Sequence, residues 1–255
     1  EIDLTILAST LEADVKNGLI PFFITGVFGT TGSTAIDNLA ELAKISEKYK
    51  CWFHIDAAYA GAALLLPEMR DLARGVELCD SFVFNPHKWL LTHFDCSTFY
   101  VKDREQLINS FSILPEYLKT SDANTVVNFR DWGLGLGRRF RALKLWFVFR
   151  WYGLSGLQNH IRTHLSLGAL LEELVRADPR FEVVAERKFN LVCFRLKNSD
   201  EENLALLQRI NRSGRLFITH CRLNGKIALR IVPGSPLLEE KHVREAWQVI
   251  AALSQ

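Results

Sequence analysis

The sequence predicts an α/β fold, with a mostly parallel sheet covered by helices, followed by a smaller α+β unit. Over residues 3–102, runs typical of strands alternate with amphipathic patterns typical of helices. The strand runs are short and almost continuously apolar, as in strands that helices cover. Two long helical patterns begin near residue 138, and strands without regular alternation follow them. Because parallel strands need a crossover connection, the early alternation indicates a parallel sheet.

The elements of the first part follow in chain order. Apolar residues at three- and four-residue steps predict helices over 3–16, 36–45 and 67–74. Apolar, β-prone runs predict strands over 21–28, 51–56, 81–85 and 97–102. The run 21–28 is continuous enough to predict a strand buried on both faces. Residues 111–128 show little periodicity, and a loop of that length is typical of a functional lid or a disordered segment.

The second part begins near Leu143 and has a different order of elements. Helices are predicted over 138–152, 157–175, 203–212 and 240–253, and strands over 181–185, 191–196, 216–221 and 227–232. We therefore expect two domains, residues 1–142 and 143–255. The aromatic residues of the first long helix are expected to pack in the core or at the domain junction; they are Trp146, Phe147, Phe149, Trp151 and Tyr152.

Composition excludes several classes of function. The 255 residues include 31 Lys+Arg and 29 Asp+Glu, a net charge of +2, which argues against nucleic acid as a partner. The longest uncharged apolar stretch, 57–66, is about half the roughly 20 residues that a membrane helix needs. The five cysteines are widely spaced, which predicts reduced thiols and a cytoplasmic protein. No metal is assigned, because the histidines lack a matching ligand set; they include His160, His164, His220 and His242.

Polar residues follow three of the predicted strands. Thr30 and Thr31 follow the first strand, Asp56 ends the second, and the sequence Asn-Pro-His-Lys at 85–88 follows the third. Ligands of parallel α/β sheets bind beyond the carboxyl ends of the strands. We therefore expect an acid and a lysine on one edge of the sheet. Alternation puts His54 and Asp56 on the same face. The small residues that follow are expected to leave room for a flat ligand; they are Ala57, Ala58, Ala60 and Gly61.

A carboxylate and a lysine without metal-ligand spacing suit pyridoxal 5'-phosphate (PLP). Its aldehyde condenses with a lysine amine, and its ring nitrogen must stay protonated to accept electrons. An adjacent carboxylate favours that protonated form. On this interpretation Lys88 binds the aldehyde and Asp56 pairs with the ring nitrogen. The spacing alone also fits a capping or turn aspartate and a solvated loop lysine, which are commoner.

Two longer motifs favour the first interpretation. The sequence HIDAAYAG at 54–61 and NPHKW at 85–89 resemble those of the group II PLP-dependent amino acid decarboxylases, above all the aromatic L-amino acid and histidine decarboxylase branch. Further segments look like that branch: 29–32, 95–97, 117–119, 136–141 and 191–196. The resemblance implies an aspartate-aminotransferase-like fold (fold type I), with residues 1–142 as the later half of the large PLP-binding domain and 143–255 as the small C-terminal domain. It also implies a missing N-terminal part and a homodimer with a shared active site.

The resemblance implies a role for each matching residue. Lys88 would hold the cofactor, Asp56 would pair with its ring nitrogen, and Ala58 would pack against one ring face. The phosphate side would be contacted or oriented by Asn85 and His87. Thr31 would lie close to the cofactor and the substrate carboxylate.

Two further matches concern the substrate. Tyr117 would lie on a loop that closes over the partner's active site, where it helps to protonate the carbon left by carbon dioxide. Gly137 would face the neighbouring substrate pocket and favour a bulky aromatic ring over histidine. The expected reaction is α-decarboxylation of an aromatic L-amino acid to the amine and carbon dioxide. The alternatives are an aromatic acetaldehyde synthase, against which the retained Tyr117 speaks, and a catalytically incompetent fragment or interaction paralogue.

A basic cluster remains outside these roles. Arg138, Arg139 and Arg141 come at the predicted start of a helix, where cations oppose the helix dipole. We therefore expect a carboxylate partner or a bound anion beside them.

Overall fold

A computed structural model describes residues 1–112 and 127–254. The helices are α1 (Leu4–Lys16), α2 (Leu39–Tyr49), α3 (Pro86–Trp89), α4 (Arg104–Phe111), α5 (Arg141–Ala177), α6 (Asp200–Arg212) and α7 (Glu240–Leu253). The strands are β1 (Phe23–Val27), β2 (Trp52–Asp56), β3 (Ser81–Phe84), β4 (Thr98–Val101), β5 (Phe181–Val183), β6 (Val192–Leu196), β7 (Thr219–Leu223) and β8 (Lys226–Ile231). Short 3₁₀ helices cover Ala60–Leu65, Pro67–Ala73, Val76–Leu78 and Phe129–Trp132.

The strands form two sheets. The first has the order β1-β2-β3-β4, in which β1, β2 and β3 are parallel and β4 is antiparallel to β3. The second has the order β5-β6-β8-β7 and is antiparallel throughout. The predicted α/β fold with a mostly parallel sheet, followed by an α+β unit, is confirmed. None of the helices in the described residues is both long and apolar enough to cross a membrane.

Side-chain caps explain where several helices begin. The Asp3 carboxylate accepts hydrogen bonds from the backbone N–H groups of Thr5 and Ile6 and so starts α1. Asn38 caps α2 in the same way, and Ser199 caps α6. Each cap satisfies backbone donors that have no partner inside the helix.

Helix α5 joins the two sheets. The sequence predicts two helices here, and the structure has one long element that is interrupted at Gly153, where φ is 61° and ψ is 178°. A positive φ is accessible to glycine at little cost, so the break falls at this residue. Beyond it, Leu157 and Ile161 pack in the core of the first sheet, while Leu167 and Leu171 pack in the core of the second.

The aromatic residues at the start of α5 do not pack as the sequence predicts. Trp146, Phe147, Phe149, Trp151 and Tyr152 are between 42% and 83% exposed. The expectation of core or junction packing is therefore wrong for the described residues. Apolar side chains on successive positions point around the whole helix, and the described part of the chain covers only one side of it.

Strand β1 also departs from its prediction. Ile24 and Gly26 are buried on the face covered by α2, but Phe23 on the other face is 49% exposed. A strand buried on both faces was the expectation, and in the described residues only one face is fully covered. The continuous apolar run does not distinguish these two cases, because its outward side chains are apolar as well.

Strand β7 begins three residues later than predicted. The Asn211 amide takes both backbone groups of Ile218, accepting from its N–H at 2.9 Å and donating to its carbonyl at 3.0 Å. Ile218 therefore cannot join the ladder, and pairing with β8 starts at Thr219. Such a side-chain contact, seven residues along the chain, leaves no periodic signal in the sequence.

Gly61 brings a 3₁₀ helix against β3. A Cβ at this position would lie 2.5 Å from the Cβ of Phe84. We expect Gly61→Ala to lower the free energy of unfolding by about 1–3 kcal/mol, because the packed neighbours must shift. Urea unfolding followed by circular dichroism measures this. Gly135→Ala is the matched control, since its nearest neighbour would lie at 3.6 Å, and equal stability of both variants would contradict the prediction.

His160 and His164 on α5 lie close together, with ring centroids 4.3 Å apart. Burial, and then the neighbouring His164, lower the pKa of His160 to about 4. Between this pKa and the ordinary histidine value of 6.5, the unfolded chain binds a proton at His160 that the folded chain excludes. The contribution of neutral His160 to stability is therefore fully present above about pH 6.5 and is lost as pH falls towards 4. We expect the urea midpoint to fall across this interval and the fall to be smaller in His160→Gln. The exposed His220→Gln is the control, and an unchanged pH slope in His160→Gln would refute the assignment.

Candidate active site

The predicted site residues come from segments at one edge of the first sheet. Asp56 at the end of β2 is in register with Val27 of β1 and Val83 of β3. Because these strands are parallel, their carboxyl ends lie at the same edge. The segments that follow them carry Thr31 and Lys88. The structure thus brings the threonine loop, the aspartate and the lysine turn to a common edge.

Asp56 is half-buried and shapes the turn after its strand. Its Oδ1 accepts a hydrogen bond from the backbone N–H of Ala58 at 2.9 Å. His54 lies on the same face of β2, as alternation predicts, and its Nδ1 is 2.8 Å from the Ser81 hydroxyl. Burial lowers the pKa of His54, while Asp56 and a hydrogen bond with Ser81 oppose that shift. A neutral His54 leaves the Asp56 carboxylate without a cationic partner on this strand.

Lys88 lies on the short helix α3, and a backbone bond ties this turn to the aspartate segment. The N–H of Asn85 donates to the carbonyl of Ala58 at 3.0 Å, and the N–H of Lys88 donates to the carbonyl of Asn85 at 2.9 Å. The Lys88 side chain is exposed, and no described residue forms an ion pair with it. Its amine is therefore available to react.

Asn85 contains a buried oxygen atom without a partner. Its Oδ1 is the one buried side-chain oxygen or nitrogen in the described residues that makes no hydrogen bond. Leaving such a group unpaired costs about 1–3 kcal/mol, so native proteins almost always satisfy it. The position of this amide, three residues before Lys88, fits a ligand group that donates a hydrogen bond beside the lysine. The predicted cofactor carries such a group.

His87 is held by the segment that follows α3. Its Nδ1 lies 2.7 Å from the carbonyl oxygen and 3.0 Å from the N–H nitrogen of Cys96. Its ring packs edge-on against Phe94, with centroids 4.8 Å apart. These contacts orient the imidazole from one side through Nδ1. A role of His87 on the phosphate side of the cofactor stays a prediction.

The small residues after Asp56 serve packing more than access. Ala57 and Ala60 are fully buried, and Gly61 lies against Phe84. The expectation that all of these residues leave room for a flat ligand is therefore wrong. Ala58, unlike Ala57, is partly exposed. Its contact with a ring face stays a prediction.

Thr31 is exposed on a loop that residues from the second sheet hold in place. Arg230 of β8 donates hydrogen bonds to the carbonyls of Thr31 and Gly32, the latter at 2.8 Å. The thiols of Cys193 and Cys221 also reach the Gly32 carbonyl, at 3.4 and 3.6 Å. Sequence reasoning missed Arg230, because nothing local connects two residues almost 200 positions apart.

The two residues predicted to act on the substrate, Tyr117 and Gly137, have separate outcomes. Tyr117 falls outside the described residues. Gly137 lies in an exposed segment before α5, and no described atom is within 4 Å of the place a Cβ would take. The described part of one chain therefore does not bring Gly137 into contact with Lys88 or Asp56.

The expected carboxylate partner of the basic cluster is present. Asp95 lies 3.0 Å from Arg141 and 3.7 Å from Arg139. Asp95 immediately precedes Cys96, which contacts His87. The cluster thus fastens the start of α5 to the loop that holds His87.

Comparison with known proteins agrees with the motifs. Residues 3–197 match the family model described as the pyridoxal-dependent decarboxylase conserved domain. The chain is 50% identical to tyrosine decarboxylase 2 of Narcissus pseudonarcissus over 252 residues, which are 95% of this chain and 50% of that protein. It is 51% identical to phenylacetaldehyde synthase of Arabidopsis thaliana over 253 residues, 96% of this chain and 52% of that protein.

The fold agrees as well. The structure of Oryza sativa TDC with PLP and tryptamine superimposes with a TM-score of 0.96 at 42% identity, over 99% of this chain and 54% of that chain. The chain spans about half the length of the curated relatives it matches. The family model covers well over half of the 255 residues, so the chain belongs to the pyridoxal-dependent decarboxylase family.

Proposed function

We propose that the protein containing this chain removes the α-carboxyl group of an aromatic L-amino acid as carbon dioxide and releases the amine. The observation that carries this proposal is the common sheet edge at which Asp56 and the Asn85–Lys88 turn lie. The unpaired amide oxygen of Asn85 supports a hydrogen-bond donor of a ligand beside Lys88. The proposed enzyme is a carboxy-lyase that depends on PLP.

In this proposal each residue at the edge has one task. Lys88 holds the cofactor covalently through its exposed amine. Asp56 keeps a proton on the ring nitrogen, because a carboxylate favours the cationic form of a neighbouring base. The phosphate side is bound or oriented by Asn85 and His87. When bound, the cofactor supplies a conjugated ring that accepts the electron pair left by carbon dioxide.

The other residues limit access and position the substrate. Ala58 packs against a ring face, and Thr31 binds near the substrate carboxylate. The backbone of the Thr31 loop is held by Arg230, so a substrate would meet a fixed wall. Tyr117 helps to return a proton to the substrate carbon, and Gly137 leaves space for an aromatic ring.

A homodimer with a shared active site is part of the proposal. Trp146, Phe147 and Trp151 expose 53%, 57% and 83% of their surface, and monomers rarely leave such an apolar patch uncovered. A partner chain would also explain why Gly137 lies away from Lys88 within one chain.

We further propose that residues 1–142 belong to the large domain and 143–255 to the small one. A reducing, cytoplasmic location is supported by the five free thiols.

An aromatic acetaldehyde synthase is the second candidate. The 51% identity to phenylacetaldehyde synthase of Arabidopsis thaliana favours it to the same degree as the decarboxylases. The presence of Tyr117, which the family resemblance links to amine formation, favours the first candidate. The two reactions differ in their demand for oxygen.

Turnover with oxygen monitoring separates the candidates. The full-length gene product is incubated with PLP and, in turn, L-tryptophan, L-tyrosine, L-dihydroxyphenylalanine and L-histidine. We expect carbon dioxide and one equivalent of amine from an aromatic substrate, without oxygen uptake. Oxygen consumption with hydrogen peroxide and an aldehyde would establish the second candidate. Absence of carbon dioxide from all four amino acids would overturn both.

A further inference from the structure

Two stacked aromatic rings connect the aspartate motif to the lysine motif. Tyr59 lies three residues after Asp56, and Trp89 directly follows Lys88. Their rings are parallel within 4°, with centroids 5.1 Å apart. Trp89 is 3% exposed and also packs edge-on against Phe189. The stack therefore fixes the turn that carries Lys88 against the end of the strand that carries Asp56.

Each ring has one polar atom, and each polar atom is bonded to a residue far along the chain. The Tyr59 hydroxyl donates to Oδ1 of Asn190, and the Trp89 indole N–H donates to Nδ1 of His164 at 3.0 Å. Asn190 is fully buried and His164 is 1% exposed. Water therefore cannot replace either partner without a rearrangement of the core.

The two acceptors are anchored in turn to one short segment. Nδ2 of Asn190 donates to the carbonyl of Pro233 at 2.7 Å. Nε2 of His164 lies 3.1 Å from the carbonyl of Ser235. Pro233–Ser235 follows strand β8 of the second sheet. Two parallel hydrogen-bond chains thus run from the stacked rings to the same three residues.

These partners determine the protonation of His164. An indole N–H can only donate, so Nδ1 must carry no proton, and a carbonyl can only accept, so Nε2 must carry one. Burial also lowers the pKa of His164, against the effect of its bond to Ser235. The neutral imidazole is therefore held in one orientation by Ser235, and it accepts from the Trp89 indole N–H in that orientation.

We propose that His164 and Asn190 are positioning residues for Lys88. They hold the Tyr59–Trp89 stack in one orientation relative to Pro233–Ser235, and so they set where the Lys88 amine meets the cofactor. This inference rests on the proposed function, because it assigns Lys88 as the residue that binds PLP. Through these two residues, the segment after β8 in the second sheet would fix the position of the Lys88 amine.

The test uses the full-length gene product with the variants His164→Leu, Trp89→Phe and both together. The readouts are the dissociation constant for PLP and the induced circular dichroism of its visible band, which reports the orientation of the bound ring. We expect each single variant to weaken PLP binding about tenfold, the equivalent of one lost hydrogen bond, and to change the dichroism. The double variant should lose no more than the larger single effect, since both changes remove the same bond.

Leu171→Ala is the matched control for loss of stability alone. Leu171 is on the same helix and 1% exposed, but it packs in the core of the second sheet. Its removal costs about 2–5 kcal/mol of stability, and we expect unchanged dichroism below the unfolding temperature. If His164→Leu behaves like this control, or if the effects of His164→Leu and Trp89→Phe add, the positioning role is refuted.

A milder variant covers the case in which His164→Leu does not fold. Tyr59→Phe keeps the stacked ring and removes only the hydroxyl that bonds Asn190, so the same change in dichroism is expected. An unchanged signal in Tyr59→Phe and Trp89→Phe together would overturn the inference. Borohydride reduction of the unmodified protein, followed by peptide mass spectrometry, tests the premise separately. A PLP adduct absent from Lys88 would refute the proposed function and the positioning role with it.

Discussion

Lys88→Ala is expected to abolish covalent attachment of PLP and to lower turnover by a factor on the order of 10³ or more. The exposed amine of Lys88 is the group on α3 that can react with an aldehyde, and alanine removes it without disturbing the turn. The bond from the Lys88 N–H to the Asn85 carbonyl persists in the variant, because it involves backbone atoms only. The visible absorption of the lysine-bound cofactor should disappear.

The measurement combines absorption spectra with borohydride reduction and peptide mapping. Lys102→Ala is the control, because Lys102 is also exposed and follows strand β4 of the same sheet. We expect the control to keep the visible band and the labelled Lys88 peptide. A reducible adduct that survives in Lys88→Ala would assign the cofactor to another lysine.

Asp56→Asn is expected to keep the cofactor and lose most of the turnover. The amide has the shape of the carboxylate and can still accept from the N–H of Ala58, so the turn after β2 should persist. It has no charge with which to keep the ring nitrogen protonated, an effect worth about 1–3 pKa units for a close ion pair. The cofactor would then accept electrons poorly, and we expect turnover to fall on the order of 10²- to 10⁴-fold.

Three measurements make this prediction specific. PLP binding by Asp56→Asn should change far less than turnover. Asp56→Glu, which keeps the charge, should recover part of the lost rate. Asp71→Asn, on an exposed 3₁₀ helix, should match the unmodified protein. Turnover near the normal rate in Asp56→Asn would remove this residue from the mechanism.

Local sequence patterns predicted most of the secondary structure. The spans of α1 and α7 were predicted closely, because apolar periodicity acts within a few residues. Helix α4 was missed, since its eight residues carry a weak pattern, although Asp103 caps it. Exposure was harder to predict. The aromatic residues from Trp146 onward would have the same sequence if a neighbouring chain or the protein's own core covered them, so their sequence does not predict their exposure.

Local patterns likewise predicted some residues of the candidate site and missed others. Asp56, Asn85 and Lys88 were predicted as site residues because each lies at the end of a strand or shortly after it and belongs to a contiguous motif. Arg230, His164 and Asn190 were not found as site residues, because their partners lie 75 to 199 positions away. No spacing rule relates residues at such separations.

By itself, the sequence determined the order of the strands and of most helices, and it indicated which sheet edge carries the candidate site, since both depend on short-range geometry and on the chemistry of neighbouring side chains. Only the tertiary structure decided which distant groups hold that edge in place. A buried donor such as the Trp89 indole needs an acceptor, and the packing of α5 against the first sheet is what brings His164 within reach of it.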